Sequence, residues 1–384
     1  MEVKPALLRW ARERSGFTQE GMAHKLDVKL ERIAEWERTG KISLPKLQSL
    51  ASRTHTPIGY LFLSEPPHEK LPIPDFRTVV RGPLPRPSVD LLDVIHQCQQ
   101  RQAWYRDYRI EEGAEPLAFV GSASIRSEAS EVATSIRTTL KIDDAQSWSP
   151  VDREDAFRRM ADLCEAAGLM IMRSSIVGSD THRRLAVDEF RGFAMVDPYA
   201  PLIFINTNDA PTARMFTLAH ELAHVWLGQS GVSDSDLRNL GSLDVERFCN
   251  RIAVEVLVPM SEFRERWQPS DDPLEETNRL AKQMNVSRLV LWRRARDAGL
   301  ISDAVFREHY PKFAAFTRSG KGGGDFYASV AVRVGKRLAS AVIERAFSGE
   351  TTYTEAFHLL GVSSVDSLRK LATKIGIPTT HADT

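Results

Sequence analysis

Cysteine is scarce in this chain: the 384 residues hold three, Cys98, Cys164 and Cys249, with no Cys-x-x-Cys pair. That spacing excludes a disulfide framework and a cysteine-rich zinc site, and it suits buried thiols in a reducing cytoplasm. Net charge is absent as well. Lys+Arg and Asp+Glu stand at 51 each, so the chain as a whole has no electrostatic bias toward nucleic acid or an anionic surface. No window approaches the roughly eighteen consecutive apolar residues of a membrane span, and the opening MEVKPALLRWARERSG has no apolar run of signal-peptide length. Membrane spanning and export are therefore not expected, nor is there a repeat at a fixed period.

What is present is enough apolar residue, 42%, to build ordinary cores in two or three domains. The charge is also unevenly spread. Residues 1–63 carry eleven Lys/Arg against seven Asp/Glu, a net of +4 within a neutral chain. Within this stretch FTQEGMAHKL and DVKLERIAEWERTGK read as two short helices joined by a tight turn, with Thr18 as N-cap and Ala23, Leu26, Val28, Ile33 and Trp36 as core.

Seven prolines between Pro66 and Pro87 then mark residues 64–87 as an extended connector, because proline fixes φ and removes a backbone donor. Helical patterning resumes over 88–112, 127–140 and 151–167, giving a helical connecting region to residue 164. Three short apolar runs, LMIM (169–172), GFAMV (192–196) and LIFIN (202–206), suit strands. The next segment, DAPTARMFTLAHELAHVWLG, has Asp209 as expected N-cap, Pro211 in the first turn and Gly228 as stop, and LDVERFCNRIAVEVLVP reads as a second helix closing at Pro259. More short helices are expected over 273–315, a flexible break at TRSGKGGG (317–324), and a helical C-terminal region over 325–384.

His220, Glu221 and His224 form His-Glu-x-x-His. On a helix, positions i and i+4 share a face, so the two imidazoles can address one cation, while Glu221, one step round, can serve a water beside it. Catalytic zinc takes three protein ligands and keeps one position open, so a third must come from Asp234, Asp236, Asp244, Glu246 or Glu255. Arg251, four residues before Glu255, offers that carboxylate an ion pair, whereas Glu246 lies beside an apolar helix flank with no cation at helical spacing, which favours Glu246. Tyr199, His182 and Arg214 are candidates to stabilise an oxyanion. The strand Leu202 to Asn206 is a candidate edge for pairing with an extended substrate.

Residues 165–260 resemble the ImmA/IrrE metallopeptidases, whose Phe-Thr-Leu-Ala-His-Glu-Leu-x-His helix matches Phe216 to His224. That family's second helix is matched at Glu246, Asn250, Ala253, Leu257 and Pro259, with Cys249, Ile252 and Val256 as departures conservative for packing. The resemblance implies Glu246 as third ligand, Zn2+ as cofactor and Glu221 as catalytic base. Residues 6–61 resemble XRE-type helix-turn-helix domains at Thr18-Gln19, the Ala23 to Val28 turn, WERTGK and Pro45, which implies that Gln19, Lys29 and Arg32 face DNA, with Arg38 and Lys41 nearer phosphates. LPIPDFR (71–77) is also similar to chains that fuse the two modules.

The expected fold is thus multidomain and mainly α, with an α+β zincin-like core over 165–315 and an N-terminal all-α helix-turn-helix bundle over 1–63. LAKQMNVSRLVLWRRARDAGL, which could pass for a second DNA-reading unit, is read as a packing subdomain beside the active site. The expected function is a cytoplasmic DNA-binding regulator whose zinc endopeptidase domain cleaves itself or a partner, such as a repressor or a toxin partner, to control transcription. One helix-turn-helix covers a half-site, so sequence-specific operator binding calls for a homodimer. The alternative is a non-proteolytic transcription factor or antitoxin whose peptidase-like domain senses or binds a partner.

Overall fold

The computed structural model describes residues 3–75, 87–143, 152–233, 244–270, 272–314 and 325–378. Asp234, Asp236, the break at 317–324 and most of the second half of the proline-rich connector lie outside them. The chain divides into two compact units, Met1–Pro72 with Pro85–Ile95, and Ile73–Leu84 with His96–Thr384.

The first unit opens with α1 (Pro5–Arg14), α2 (Gln19–Leu26), α3 (Leu30–Thr39) and α4 (Leu44–Arg53), followed by a 3-10 turn at Ile58–Phe62. Thr18 caps α2 by accepting from the Gly21 amide at 3.0 Å. Asp27 turns the chain between α2 and α3 in the left-handed region (φ 49°), which aspartate tolerates better than most residues. Ala23, Leu26, Ile33 and Trp36 are buried in one core with Leu7, Leu8, Met22, Leu47, Leu50 and Leu61, and Val28 packs against it half-buried.

A buried polar clamp crosses that core. Arg12 on α1 donates through Nη2 to Glu37 on α3 at 3.0 Å and through Nη1 to the Phe17 carbonyl at 2.8 Å, while Gln19 at the start of α2 donates its amide to Glu37 at 2.8 Å.

The second unit contains most of α5 (Val89–Glu111), then α6 (Ala129–Leu140) and α7 (Arg153–Ala166), which lead into β1 (Met170–Ser174), the hairpin β2 (Ile176–Val177) and β3 (Asp180–Arg184), β4 (Gly192–Met195) and β5 (Leu202–Asn206). After these come α8 (Pro211–Leu227), β6 (Gly231–Ser233), α9 (Asp244–Leu257), α10 (Met260–Arg266), α11 (Pro273–Gln283), α12 (Arg288–Asp297) and α13 (Asp303–Ala314). The unit ends with α14 (Phe326–Val334), α15 (Lys336–Phe347), α16 (Tyr353–Leu360) and α17 (Val365–Ile375).

The main sheet runs β1-β5-β4-β6, with β1 parallel to β5 and the other pairs antiparallel. β1, β4 and β5 are buried at every position, as strands covered on both faces must be. The order corrects one expectation: β5 lies inside the sheet, its ladder groups paired on both sides, so Leu202–Asn206 offers no edge to a substrate. β6 and the β2–β3 hairpin, too short to show a periodic pattern, went unread. The connector is not all tether either, since the Pro74 carbonyl accepts from Val232 at 2.9 Å and Asp75 bridges to Val232 in parallel.

Leu280, Ala281, Val290, Leu291, Trp292 and Ala295 of α11 and α12 are buried in the same core as α8 and α9. The segment therefore packs rather than presenting a second reading helix.

The clamp generates a prediction. Burial works to raise the Glu37 pKa, but the hydrogen bonds from Arg12 and Gln19 and the charge of Arg12 outweigh it and leave it lowered. The stability it contributes is therefore present above the ordinary glutamate range and lost as pH falls through the lowered value. Glu37→Gln leaves buried Arg12 with only the exposed Glu13, 3.3 Å away, as counter-charge and is expected to cost about 3 kcal/mol in the first unit. Hydrogen exchange of the α1–α4 amides in the full chain checks it; unchanged protection at neutral pH would refute it.

Candidate metal centre

α8 is built to be buried. Pro211 supplies its first turn, Gly228 ends it in the left-handed region (φ 69°), and every residue from Arg214 to Leu227 is inaccessible to solvent or nearly so. Asp209 is not the N-cap that the sequence suggested. Ala210 holds that place, because Asp209 is itself buried and engaged by Arg191.

His220 and His224 present their Nε2 atoms 3.1 Å apart on one face of α8. From the first turn of α9, Glu246 brings Oε2 to 3.2 Å from His220 Nε2 and Oε1 to 3.1 Å from His224 Nε2. All three side chains are fully buried. Three acceptor atoms this close repel one another unless a cation or proton lies among them. A tetrahedral ion with bonds of about 2.0–2.1 Å separates its ligands by about 3.3 Å, so the donor set fits zinc in spacing and in kind.

Asn250, one turn beyond Glu246, has its Oδ1 3.0 Å from His220 Nδ1. A proton held on Nδ1 by that contact leaves the Nε2 lone pair directed at the cluster. Sequence reasoning noted Asn250 only as a matched position of the family's second helix, with no role attached. The signal that could have exposed it was its i+4 spacing from Glu246, which puts both side chains on one face.

The electrostatics reinforce the grouping. Burial opposes the charge on Glu246, yet the two imidazoles bring its pKa down to about 2. Burial likewise disfavours protonated His220, but Glu246 and, more weakly, Glu221 and Asn250 raise its pKa, whereas burial prevails at His224 and lowers it. Burial and the charges of Glu246 and Glu221 push the neighbouring Cys249 thiol well up.

The two other described candidate carboxylates, Asp244 and Glu255, are occupied elsewhere. Asp244 is exposed and pairs with Arg247 at 3.2 Å. Glu255 pairs with Arg294 of α12 at 2.7 Å and accepts from the Met260 amide; Arg251, its expected partner, lies over the Phe248 ring. Of the oxyanion candidates, Arg214 is held by Glu154 at 2.8 Å and stacks on Phe157, and His182 is exposed on β3. A cavity of about 280 Å³ lined by Met160, Met215, Met284, Arg137 and Arg266 among others includes none of the four cluster residues.

Glu221 is buried on the same helix, under β4. A Cβ on Gly192 would come 2.7 Å from Thr217 Cγ2, 2.9 Å from the Phe204 carbonyl and 3.3 Å from Glu221 Oε1. Glycine at this strand position is what lets the sheet approach the motif helix.

In the first unit Lys29, Arg32, Arg38 and Lys41 are exposed along α3 and its ends, and Arg32 pairs with Glu35 at 2.7 Å, cancelling one acidic charge of that helix. Gln19 is half-buried with its amide committed to Glu37.

A helix-turn-helix bundle and, in the same chain, an α+β unit with this cluster define a DNA-binding protein carrying a metallopeptidase-like domain. Comparison with known families gives the same division: residues 8–61 match the helix-turn-helix family model and residues 164–296 the IrrE N-terminal-like domain, so an XRE-type helix-turn-helix is fused here to an ImmA/IrrE-type domain. Residues 334–374 match a domain of unknown function, DUF8813. No curated protein matches the chain significantly.

Gly192→Ala is expected to push β4 off α8 and to cost about 1–3 kcal/mol, since the clash is partly with backbone and cannot be relieved by one rotamer change. Urea unfolding checks it, and a loss below about 0.5 kcal/mol would show that the sheet and helix can separate freely.

Proposed function

We propose that the chain is a transcriptional regulator that binds operator DNA through residues 1–63 and cleaves a protein with a zinc centre formed by His220, His224 and Glu246. The reading rests chiefly on one observation: two imidazole nitrogens and a carboxylate converge to within 3.1–3.2 Å in a core where nothing else requires them, next to Glu221. Zinc held there supplies a Lewis acid that polarises a peptide carbonyl and acidifies water. Glu221 takes the proton of the attacking water as oxygen adds to the carbonyl carbon, and returns it to the amine nitrogen as the C–N bond breaks. Asn250 keeps His220 in the tautomer that can ligate, and Gly192 leaves room for the Glu221 carboxylate.

A second reading, a non-proteolytic regulator or antitoxin, is favoured by the burial of all four cluster side chains. In that case the ion would be structural and the domain a partner-binding module. The regulator acts in the cytoplasm, where its DNA is; among the described residues no helix is long and apolar enough to cross a membrane.

The first test joins metal content to function. Wild type is expected to hold about one zinc per chain, His220→Ala and Glu246→Ala to lose it, and Glu221→Gln to keep it while losing proteolysis by about a hundredfold or more. Full zinc in Glu246→Ala refutes the ligand assignment. Equal regulation of a reporter gene by wild type and Glu221→Gln in cells refutes the proteolytic switch and leaves the second reading.

The second test concerns DNA. Binding of the full chain to its own promoter should fall steeply with salt, and Arg38→Ala or Lys41→Ala should weaken it evenly across sequences while lowering the salt slope by about one. Binding unaffected by salt would contradict a phosphate-contacting role.

A further inference from the structure

Buried arginines in this protein carry carboxylates with them. Arg12 has Glu37, Arg214 has Glu154 and Arg294 has Glu255. The reason is physical: a guanidinium does not shed its proton, so its charge has to be met inside the protein. Arg173 forms no ion pair among the described residues, but Glu165, Asp162 and Glu154 act on its charge. Arg101 on α5 and Arg333 on α14 break the pattern: they are 7% and 8% exposed, and among the described residues neither has a carboxylate partner.

Both are instead tied to one corner of the second unit, where α16 ends. Arg101 Nε donates to the Leu359 carbonyl at 2.9 Å, Arg333 Nη1 donates to Ser179 Oγ at 2.9 Å, and Ser179 Oγ donates in turn to the Gly361 carbonyl at 3.4 Å. The end of a helix offers only about half a unit of negative charge, against two full positive charges. Burial lowers the pKa of each guanidinium, and the charge of Arg101 lowers that of Arg333 further, so the two lie in each other's field. Each spends Nε or one Nη on these bonds, leaving nitrogens of the planar fork that matches oxyanions two bonds at a time. Ser179, in the β2–β3 turn, is exposed and marks the mouth.

We propose that Arg101, Arg333 and Ser179 form a binding site for a phosphate-type dianion, set between α5, α14, the β2–β3 turn and the end of α16. Two positive charges that no carboxylate meets among the described residues call for a dianion, because a single carboxylate would leave one of them unmet. The depth of the arginines admits a free phosphate or the terminal phosphate of a small phosphomonoester. Leu359 and Gly361 fall within the segment 334–374, which thereby acquires a chemical role: occupancy locks the C-terminal helices onto the sheet of the domain that carries the metal centre.

The test uses the full chain in chloride buffer at fixed ionic strength, with inorganic phosphate as the probe, followed by thermal unfolding and by titration calorimetry. Phosphate at about a hundredfold excess over its dissociation constant is expected to raise Tm by about 3 °C or more. Arg333→Met and Arg101→Met should abolish that rise and, in the absence of phosphate, melt at or above the wild-type temperature, because each removes an unmet buried charge. Ser179→Ala, at the exposed mouth, should fold as wild type and bind phosphate about fivefold more weakly. AMP acting at lower concentration than phosphate, with adenosine silent, would identify a phosphomonoester as the source; equal action of AMP and phosphate would identify the free ion. The proposal fails if phosphate shifts wild type and Arg333→Met equally, if acetate matches phosphate, or if Ser179→Ala binds phosphate as wild type does.

Discussion

Two imidazoles and two carboxylates, from His220, His224, Glu221 and Glu246, lie out of contact with water between α8, α9 and the sheet. Removing such groups from solvent costs several kcal/mol each unless they satisfy one another, and this constraint shapes the whole second unit. It accounts for a motif helix that is buried all round, for a second helix that docks through Phe248, Ile252, Ala253 and Val256 while bringing Glu246 to the imidazoles, and for Asn250 below His220. It also accounts for the glycine at 192, where any side chain would drive the sheet from the helix that carries the cluster. Proteolysis, if it is the function, depends on a geometry whose tolerance is set by close packing rather than by flexible loops.

The protein handles buried charge in three distinct ways. In the helix-turn-helix unit, Arg12 and Glu37 cancel locally and Gln19 completes the network, which fixes three helices relative to one another and does not draw on Lys29, Arg38 or Lys41. At the cluster, one carboxylate is shared between two imidazoles, an arrangement suited to holding a cation. At Arg101 and Arg333, among the described residues, one backbone carbonyl and one hydroxyl meet the charge. The first arrangement serves stability, the second suits a cation, and the third suits an anionic ligand. Cys98 and Cys164 take no part: burial raises both thiols, Cys98 to about 12, which keeps them protonated and unreactive.

Much of this was legible in the linear chain wherever the determining contacts are local. Thr18 before α2, Pro211 and Gly228 at the ends of α8, and Pro259 after α9 act on backbone groups within a turn of themselves, and all stand where the sequence put them. The pairing of His220 with His224 needs only helical periodicity. β1, β4 and β5 showed as short apolar runs because both their faces are covered. Asp209 misled by one residue, since a distant arginine, Arg191, claims the carboxylate that a local rule assigns to capping.

Other features exist only in three dimensions. Nothing in the spacing of LIFIN says that β5 lies between β1 and β4 rather than at an edge, for strand order is decided by which chain segments the helices bring back to the sheet. Glu255 has a cation at helical spacing in Arg251, yet it binds Arg294 from another helix, because a partner that comes with buried apolar surface outcompetes a solvated neighbour. Arg101 and Arg333 meet at the end of α16 for the same reason. The sequence by itself determined the helices, their ends and the ligand-bearing residue types, which follow from interactions four residues long. Tertiary packing alone decided which strand was internal and, among the described residues, which buried arginines were left without a carboxylate, because those outcomes depend on contacts between elements far apart in the chain.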